Sequence, residues 1–237
     1  MTSAPGHLTN TVGAVIPALN ERDTLPPNVA SLLQEDSLQH MVIVDGGSTD
    51  GTLEWAQELA QVHPDRVTVT VSPAGRGRQM NHGAKLLHTE WILFHHADSL
   101  LPQGAIASIS ELSSETHWGG FRQQFHPNNW KLKVISALHN TRAQLTGVMY
   151  GDQSMFVRRH LFSQLDGFVT EDLEDLKFSE QALNHSPGRL LQQHVLTDSR
   201  KFMQMGEWRA LGQVAKILWQ YNRTGTLAET NFFKPFR

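Results

Sequence analysis

The most constraining feature of the chain is a fourfold alternation. Short apolar runs at Val12–Pro17, Met41–Asp45, Arg66–Val71 and Trp91–His95 are separated by stretches with apolar residues at helical spacing. Leu53, Ala56, Leu59 and Ala60 form one such set, and Met80, Ala84 and Leu87 another. A continuous apolar strand must be covered on both faces, and a helix between successive strands supplies that cover through a right-handed crossover. The spacing predicts an α/β architecture over residues 10–115, with a mainly parallel central sheet flanked by helices. Asp23 stands where it would cap a helix beginning near Thr24, with Pro26 and Pro27 tolerated in the first turn.

The second half is less regular. A strand is predicted at Trp118–Phe125, a long helix from about Leu132 to Leu145, and a strand at Met155–Arg158. A helix from Leu173 to His185 and an amphipathic helix at Trp208–Tyr221 follow, before a polar tail. There is no repeat, low-complexity tract or linker, so residues 1–237 are expected to form one domain.

Composition removes several classes of function. With no cysteine among 237 residues, disulfides, thiolate metal sites and thiol catalysis are excluded. A net charge of −3 offers no bulk basic field for nucleic acid. No apolar run approaches the ~20 residues of a membrane span. The opening MTSAPGHLTN lacks the basic flank and apolar stretch of a secretory signal. A cytoplasmic protein is expected.

Ligands of parallel sheets sit at the C-terminal ends of the strands. Here those ends carry Pro17-Ala18-Leu19-Asn20-Glu21, then Asp45-Gly46-Gly47-Ser48-Thr49-Asp50-Gly51-Thr52, then Gly75-Arg76-Gly77-Arg78, then His95-His96-Ala97-Asp98-Ser99. A carboxylate at Asp45 can accept from a ring N–H or hydroxyl while Gly46 and Gly47 let backbone approach a ligand. Asp50 suits turn formation and helix capping instead. Two arginines on a glycine frame at a helix start suit a diphosphate. If strand geometry persists, His96 and Asp98 point the same way, and a carboxylate with an imidazole suits Mn²⁺ or Mg²⁺ bridging phosphate oxygens. Two acidic pairs, Glu171-Asp172 and Glu174-Asp175, open a helical pattern, where they serve either the helix dipole or as a general base.

In this order the motifs resemble the family 2 glycosyltransferases with the GT-A fold, over roughly residues 11–205. The strings Gly75-Arg76-Gly77-Arg78-Gln79-Met80-Asn81, Phe94-His95-His96-Ala97-Asp98-Ser99 and Tyr150-Gly151-Asp152-Gln153 are similar to a bacterial subfamily, the radical-SAM/selenodomain-associated glycosyltransferases. The resemblance implies an inverting, metal-assisted transfer of sugar from a nucleotide-diphosphate sugar to an acceptor hydroxyl. It implies a nucleotide-binding half at 10–115, an acceptor and catalytic half at 116–205, and a C-terminal helix and tail at 206–237. Pro17, Ala18, Leu19, Asn20, Glu21, Asp45, Gly46, Gly47, Arg76, Arg78, Asn81, His96, Ala97 and Asp98 would bind the donor, with Asp98 and His96 holding the metal. Tyr150, Gly151, Asp152 and Gln153 would meet the acceptor or sugar. Asp175, with Glu174, would supply the base, and Arg200 and Lys201 would add cationic cover to the diphosphate. Two positions depart from the commoner pattern: His96-Ala97 leaves Asp98 as the sole acid of its cluster, and Gly46 replaces a frequent second aspartate.

Three rival readings share these features. They are a nucleotidyltransferase, a non-catalytic nucleotide-sugar binding protein, and a polyprenyl-phosphate transferase. The last would use the stripe Trp208, Leu211, Val214, Ile217 and Leu218 for peripheral membrane contact, although packing on the core also accounts for it.

Overall fold

The computed structural model describes residues 10–170 and 173–224. In chain order the elements are β1 (Val12–Ala18), α1 (Leu25–Leu33), β2 (Leu38–Asp45), α2 (Thr52–Val62), β3 (Val67–Val71), α3 (Arg76–Leu86), β4 (Trp91–Phe94), β5 (Ser99–Leu100) and α4 (Ala105–Ser110). They continue with β6 (Trp118–His126), α5 (Trp130–Thr146), a 3₁₀ turn at Gly151–Gln153, β7 (Phe156–Arg158), α6 (Arg159–Gln164), α7 (Glu174–Leu183), β8 (Arg189–Asp198), α8 (Arg200–Met205) and α9 (Glu207–Thr224).

One sheet runs in the order β3-β2-β1-β4-β7-β6-β8-β5. Its first four strands are mutually parallel, as the alternating pattern predicts. Beyond β4 it becomes mixed, because β7 pairs antiparallel to both β4 and β6, β8 runs parallel to β6, and β5 closes the edge antiparallel to β8. Side-chain alternation sorts the core into two layers. Val12, Ala14 and Ile16 of β1, Met41 and Ile43 of β2, and Trp91 and Leu93 of β4 face one layer with α1 and α4. Val15, Val42, Val44, Ile92 and Phe94 face the other, with Met80 and Ala84 of α3 and Phe178 of α7. Each of the larger side chains among these contributes about 1.5–3 kcal/mol by leaving water, which fixes the register of β1, β2 and β4 and hence the height of their ends.

Several local expectations change. Asp23 does not cap α1; the carbonyl of Glu21 accepts from the amides of Thr24 (3.1 Å) and Leu25 (2.8 Å) instead. β4 ends at Phe94, one residue before the expected His95, and the chain turns at Ala97–Asp98. The strand alternation that would aim His96 and Asp98 alike therefore does not operate. The long strand β8 and the short helices α4, α6 and α8 were not among the predicted elements. Arg200 and Lys201, expected in a polar segment, begin a helix.

Candidate active site

The ends of β1 and β2 are joined by a hydrogen-bonded loop network. Asp45, fully buried, closes β2, and its Oδ2 accepts from the amides of Gly47 (2.8 Å) and Ser48 (2.9 Å). That bond pair folds the loop back over the strand end, with Gly47 at φ 94°. The other oxygen, Oδ1, is buried with no hydrogen-bond partner among the described residues. A buried carboxylate oxygen without a donor is costly, so it is suited to accept from a ligand. Asn20, at φ 56°, accepts from the Thr49 amide (2.8 Å) and its own amide donates to Ser48 Oγ (2.9 Å). Asp50 accepts from the amides of Thr52 (3.0 Å) and Arg22 (3.1 Å), the turn-and-cap duty its position predicts. Burial favours its neutral form, but the Thr52 hydroxyl and these amides hold its carboxyl below the usual range.

Gln79, which the sequence leaves without a role, clamps this rim. Its Nε2 donates to the carbonyls of Ala18 (2.9 Å) and Val44 (2.8 Å), and Gly46 packs on its amide, where a Cβ would come within 3.1 Å. Asn81 also has a different task from the donor contact expected of it. Its Nδ2 donates to the Phe168 carbonyl (2.7 Å) and its Oδ1 accepts from the Phe168 amide (2.9 Å). Both ends of the amide thus tie α3 to the turn before α7. Gly77 permits the same approach, because a Cβ there would lie 2.2 Å from the Val169 carbonyl oxygen.

α3 and α7 meet at their N-termini. Arg76 Nε lies 2.8 Å from Oε1 of Glu174, which is buried. Burial alone would lower the Arg76 pKa, but Glu174, Asp175, Asp98 and Asp152 raise it, so its charge is secure. Arg78 lies on the exposed side of α3. Asp175 Oδ2 accepts from the Gly151 amide at 2.6 Å. A Cβ on Gly151 would fall 2.6 Å from His96 Nε2 and 3.3 Å from Asp175 Oδ2. The glycine therefore marks where the β4 loop, the 3₁₀ turn and α7 converge. The alternative pair Glu171-Asp172 lies outside the described residues.

Four side chains complete the cluster. His96 is held below its usual pKa by burial and by Arg76, against the pull of Asp98, Asp152 and Asp175. Asp152 faces His139 Nε2 at 3.3 Å; burial would raise its pKa, but His139, His96 and Arg142 lower it. The Arg142 guanidinium stacks on the Tyr150 ring at 3.8 Å and donates to the Val148 carbonyl (3.0 Å). Lys201 is lowered by burial and by Arg76, with Asp98 opposing, which places it on the same side as both. Arg200 is instead exposed and paired with Asp198 (Nε–Oδ2 2.6 Å). His139 and Arg142 were not singled out by sequence; the available signal was polar residues on the inward face of a long helix.

Beneath the cluster, His95 is fully buried. Its Nδ1 lies 2.7 Å from Ser154 Oγ and its Nε2 3.1 Å from the Ser99 carbonyl oxygen. Only a ring N–H can satisfy that carbonyl, so Nε2 carries the proton and Nδ1 accepts from the serine. Burial and the neighbouring His96 push its pKa down to about 3, and it ties the loop carrying Asp98 to the turn carrying Gly151. A cleft lined by Asp23, Thr24, Pro27, Asp98, Thr197 and Asp198 opens beside Asp98. The pKa of Glu21 is raised by burial and by Asp98 against the lowering hydrogen bond from the Thr24 hydroxyl.

Comparison with known proteins agrees with this architecture. Residues 14–164 match the model of glycosyl transferase family 2. A polyprenol monophosphomannose synthase of Mycolicibacterium smegmatis is 45% identical over 65 residues, 27% of this chain and 24% of that protein. An undecaprenyl-phosphate 4-deoxy-4-formamido-L-arabinose transferase of Proteus mirabilis is 23% identical over 167 residues, 66% of this chain and 51% of that protein. The chain thus spans about a quarter to a half of the length of these curated relatives. Among solved structures, the mannosyltransferase PcManGT of Pyrobaculum calidifontis, in complex with GDP-Man and Mn²⁺, superposes with a TM-score of 0.68 at 19% identity, covering 95% of this chain and 67% of that one. TarS of S. aureus in complex with UDP-GlcNAc gives 0.62 at 16% identity, covering 80% and 59%. The matched residues carry β2, β3, β4, all but the first two residues of β1, and the Gly151 turn, and the chain belongs to glycosyl transferase family 2, with the GT-A fold.

Proposed function

We propose that the protein is an inverting glycosyltransferase that moves a sugar from a nucleotide-diphosphate sugar to an acceptor hydroxyl. The observation that carries this reading is the carboxylate of Asp175, held by the Gly151 amide at 2.6 Å beside His96 and near Arg76. Its other oxygen, Oδ1, accepts from the Leu176 amide at 2.8 Å, so backbone orients the base at both oxygens before substrate arrives. The acceptor oxygen attacks the anomeric carbon as its proton passes to Asp175. The bond from that carbon to the diphosphate breaks, and the electron pair leaves with the diphosphate. Arg76 and Lys201 face the negative charge that develops there.

The donor would occupy the rim formed by Pro17, Ala18, Leu19 and Asp45, whose unpartnered Oδ1 would accept from the base or ribose. Residues 10–115 would hold the nucleotide and 116–205 the acceptor, with Tyr150 and Asp152 lining the acceptor side; Gln153, expected there too, is fully buried, donates to the Phe121 carbonyl (3.2 Å) and accepts from the Tyr150 amide (3.1 Å), so it braces the turn instead. Asp98 and His96 would hold a divalent cation, the two lying close enough for Asp98 to act on the His96 charge. Burial and Arg76 hold that imidazole below its usual pKa, which favours the neutral form a ligand requires. Among the described residues no group of three or more His, Asp or Glu is placed to hold a metal unaided. This suits Mn²⁺ or Mg²⁺, which take one or two protein ligands and complete their shell with phosphate oxygens and water. When bound, such an ion neutralises diphosphate charge.

Placement with the radical-SAM/selenodomain-associated subfamily is supported by position. The strings 75–81, 94–99 and 150–153 that carry that resemblance are the ones meeting at Gly151. A cytoplasmic location is proposed with it; no helix of the described residues is long and apolar enough to cross a membrane. The reading is tested with Asp175→Asn. Calorimetry with UDP-, GDP-, ADP- and CMP-linked sugars should identify a donor bound equally by wild type and variant, while transfer falls by about 10²–10⁴-fold in the variant. Near-wild-type transfer by Asp175→Asn would remove it from the role of base.

A further inference from the structure

Helix α5 presents apolar side chains in two directions. Leu132, Ile135 and Ala143 are buried on its inner side. On the outer side Trp130, Val134, Leu138 and Leu145 are 66%, 40%, 54% and 81% exposed. Their spacing aligns them in one stripe along the helix. α9 extends it. Trp130 and Trp208 lie with ring centroids 6.0 Å apart, and Trp208 and Trp219 are 47% and 61% exposed. Of the 18 residues of α9, Ala210 alone is buried. Two adjoining helices that between them expose three tryptophans and two leucines are unusual for a surface facing only water.

The charges on these two helices are mostly basic, although Glu180 of α7 accepts from the Tyr221 hydroxyl at 3.0 Å beside α9. Arg209, Lys216 and Arg223 recur every seventh residue beside Trp208 and Trp219, and the Arg223 guanidinium lies 5.4 Å from the Trp219 ring. Together α5 and α9 carry six of the chain's 20 Lys and Arg, and one of its 23 Asp and Glu. That one, Glu207, is bonded to Asn129 and Lys131. A second copy of the chain on this face would set cations against cations across a two-fold axis. An anionic surface would not.

We propose that the α5–α9 face docks on an anionic phospholipid bilayer. Trp130, Trp208 and Trp219 would sit at headgroup level, where aromatic rings with a polar edge are favoured, and the basic row of α9 would lie against lipid phosphates. The face adjoins the candidate acceptor side, because α5 also carries His139 and Arg142, which meet Asp152 and Tyr150. The proposal stands independently of the transferase reading, and its test needs neither donor nor acceptor.

The experiment is flotation of the full chain with vesicles of phosphatidylcholine alone or mixed with phosphatidylglycerol. The chain should float with the mixed vesicles, remain behind with phosphatidylcholine, and be released by high salt. Arg209→Glu/Lys216→Glu/Arg223→Glu should lower partitioning by about 100-fold or more. Trp130→Ala/Trp208→Ala/Trp219→Ala should also lower it, with an unchanged circular dichroism spectrum because these side chains are exposed. Should the triple charge variant misfold, Lys216→Glu alone is expected to cost about fivefold. Absence of wild-type flotation, or equal flotation of the folded charge variants, overturns the proposal. So does a concentration-dependent dimer that the tryptophan variant abolishes in a chain that ignores vesicles, since the occupant is then a second copy.

Discussion

The two sides of the site are wired differently. In the loop at 45–52 the bonds run within the loop or to the adjoining strand end: Asp45 to Gly47 and Ser48, Asp50 to Thr52, Asn20 to Thr49. In the cluster around Gly151 nearly every contact joins distant segments: Arg76 to Glu174, Gly151 to Asp175, His139 to Asp152. A locally wired loop keeps its shape when the rest is perturbed, so changes there should alter donor affinity. A cluster assembled from separate elements depends on their packing, so changes there should alter rate or stability.

Experiments can break this contrast, the largest effect coming first. Asp175→Asn, at about 10²–10⁴-fold in turnover, should leave donor affinity nearly unchanged, whereas an equal loss of both would erase the distinction. Gly77→Ala should destabilise the fold by about 3 kcal/mol, because its Cβ would meet the Val169 carbonyl oxygen rather than a movable side chain. Denaturant melts read this directly, and a midpoint equal to wild type would mean that α3 does not press on that turn. Asp45→Ala should weaken donor binding by about 1–3 kcal/mol with a smaller change in turnover of the bound enzyme. Calorimetry showing wild-type affinity would take Asp45 out of the donor site.

The smallest effect at neutral pH concerns His95. Its folded pKa, about 3, lies below the ordinary 6.5, so the unfolded chain takes up the proton first as pH falls. The stabilising contribution is full above about pH 6.5 and is lost progressively down to about 3, amounting to on the order of 2 kcal/mol at pH 5. His95→Gln should therefore show a shallower fall in melting temperature between pH 6.5 and 5. A slope identical to wild type would show that the ring is not held neutral by its buried bonds.

Much of the parallel half was legible because periodicity and burial coincide there. Every residue of β1 is buried, and its apolar run states as much. β8 shows the opposite: Arg189–Asp198 alternates exposed and half-covered positions, with Val195 and Thr197 alone buried, and its polar sequence gives no apolar run to read. Motif order named the residues of the candidate site, but not the contacts they make. Nothing in the spacing says that Asn81 binds the Phe168 backbone, that Gln79 clamps Ala18 and Val44, or that Glu174 engages Arg76. Those are hydrogen bonds between residues up to about a hundred positions apart, and they exist only once the helices have packed.

The antiparallel pairing of β4 with β7 has a kinetic corollary. It joins residues 91–93 to 156–158, and every convergence at Gly151 waits on that closure. Contacts of long sequence separation form late and slowly, since the chain entropy of the enclosed segment is lost before the contact forms. β1, β2 and β3 pair over much shorter separations and can dock while the site is still open. Recovery of a Gly151–Asp175 contact during refolding would then lag behind recovery of the β1–β2 core, making site assembly a clock for the completion of folding.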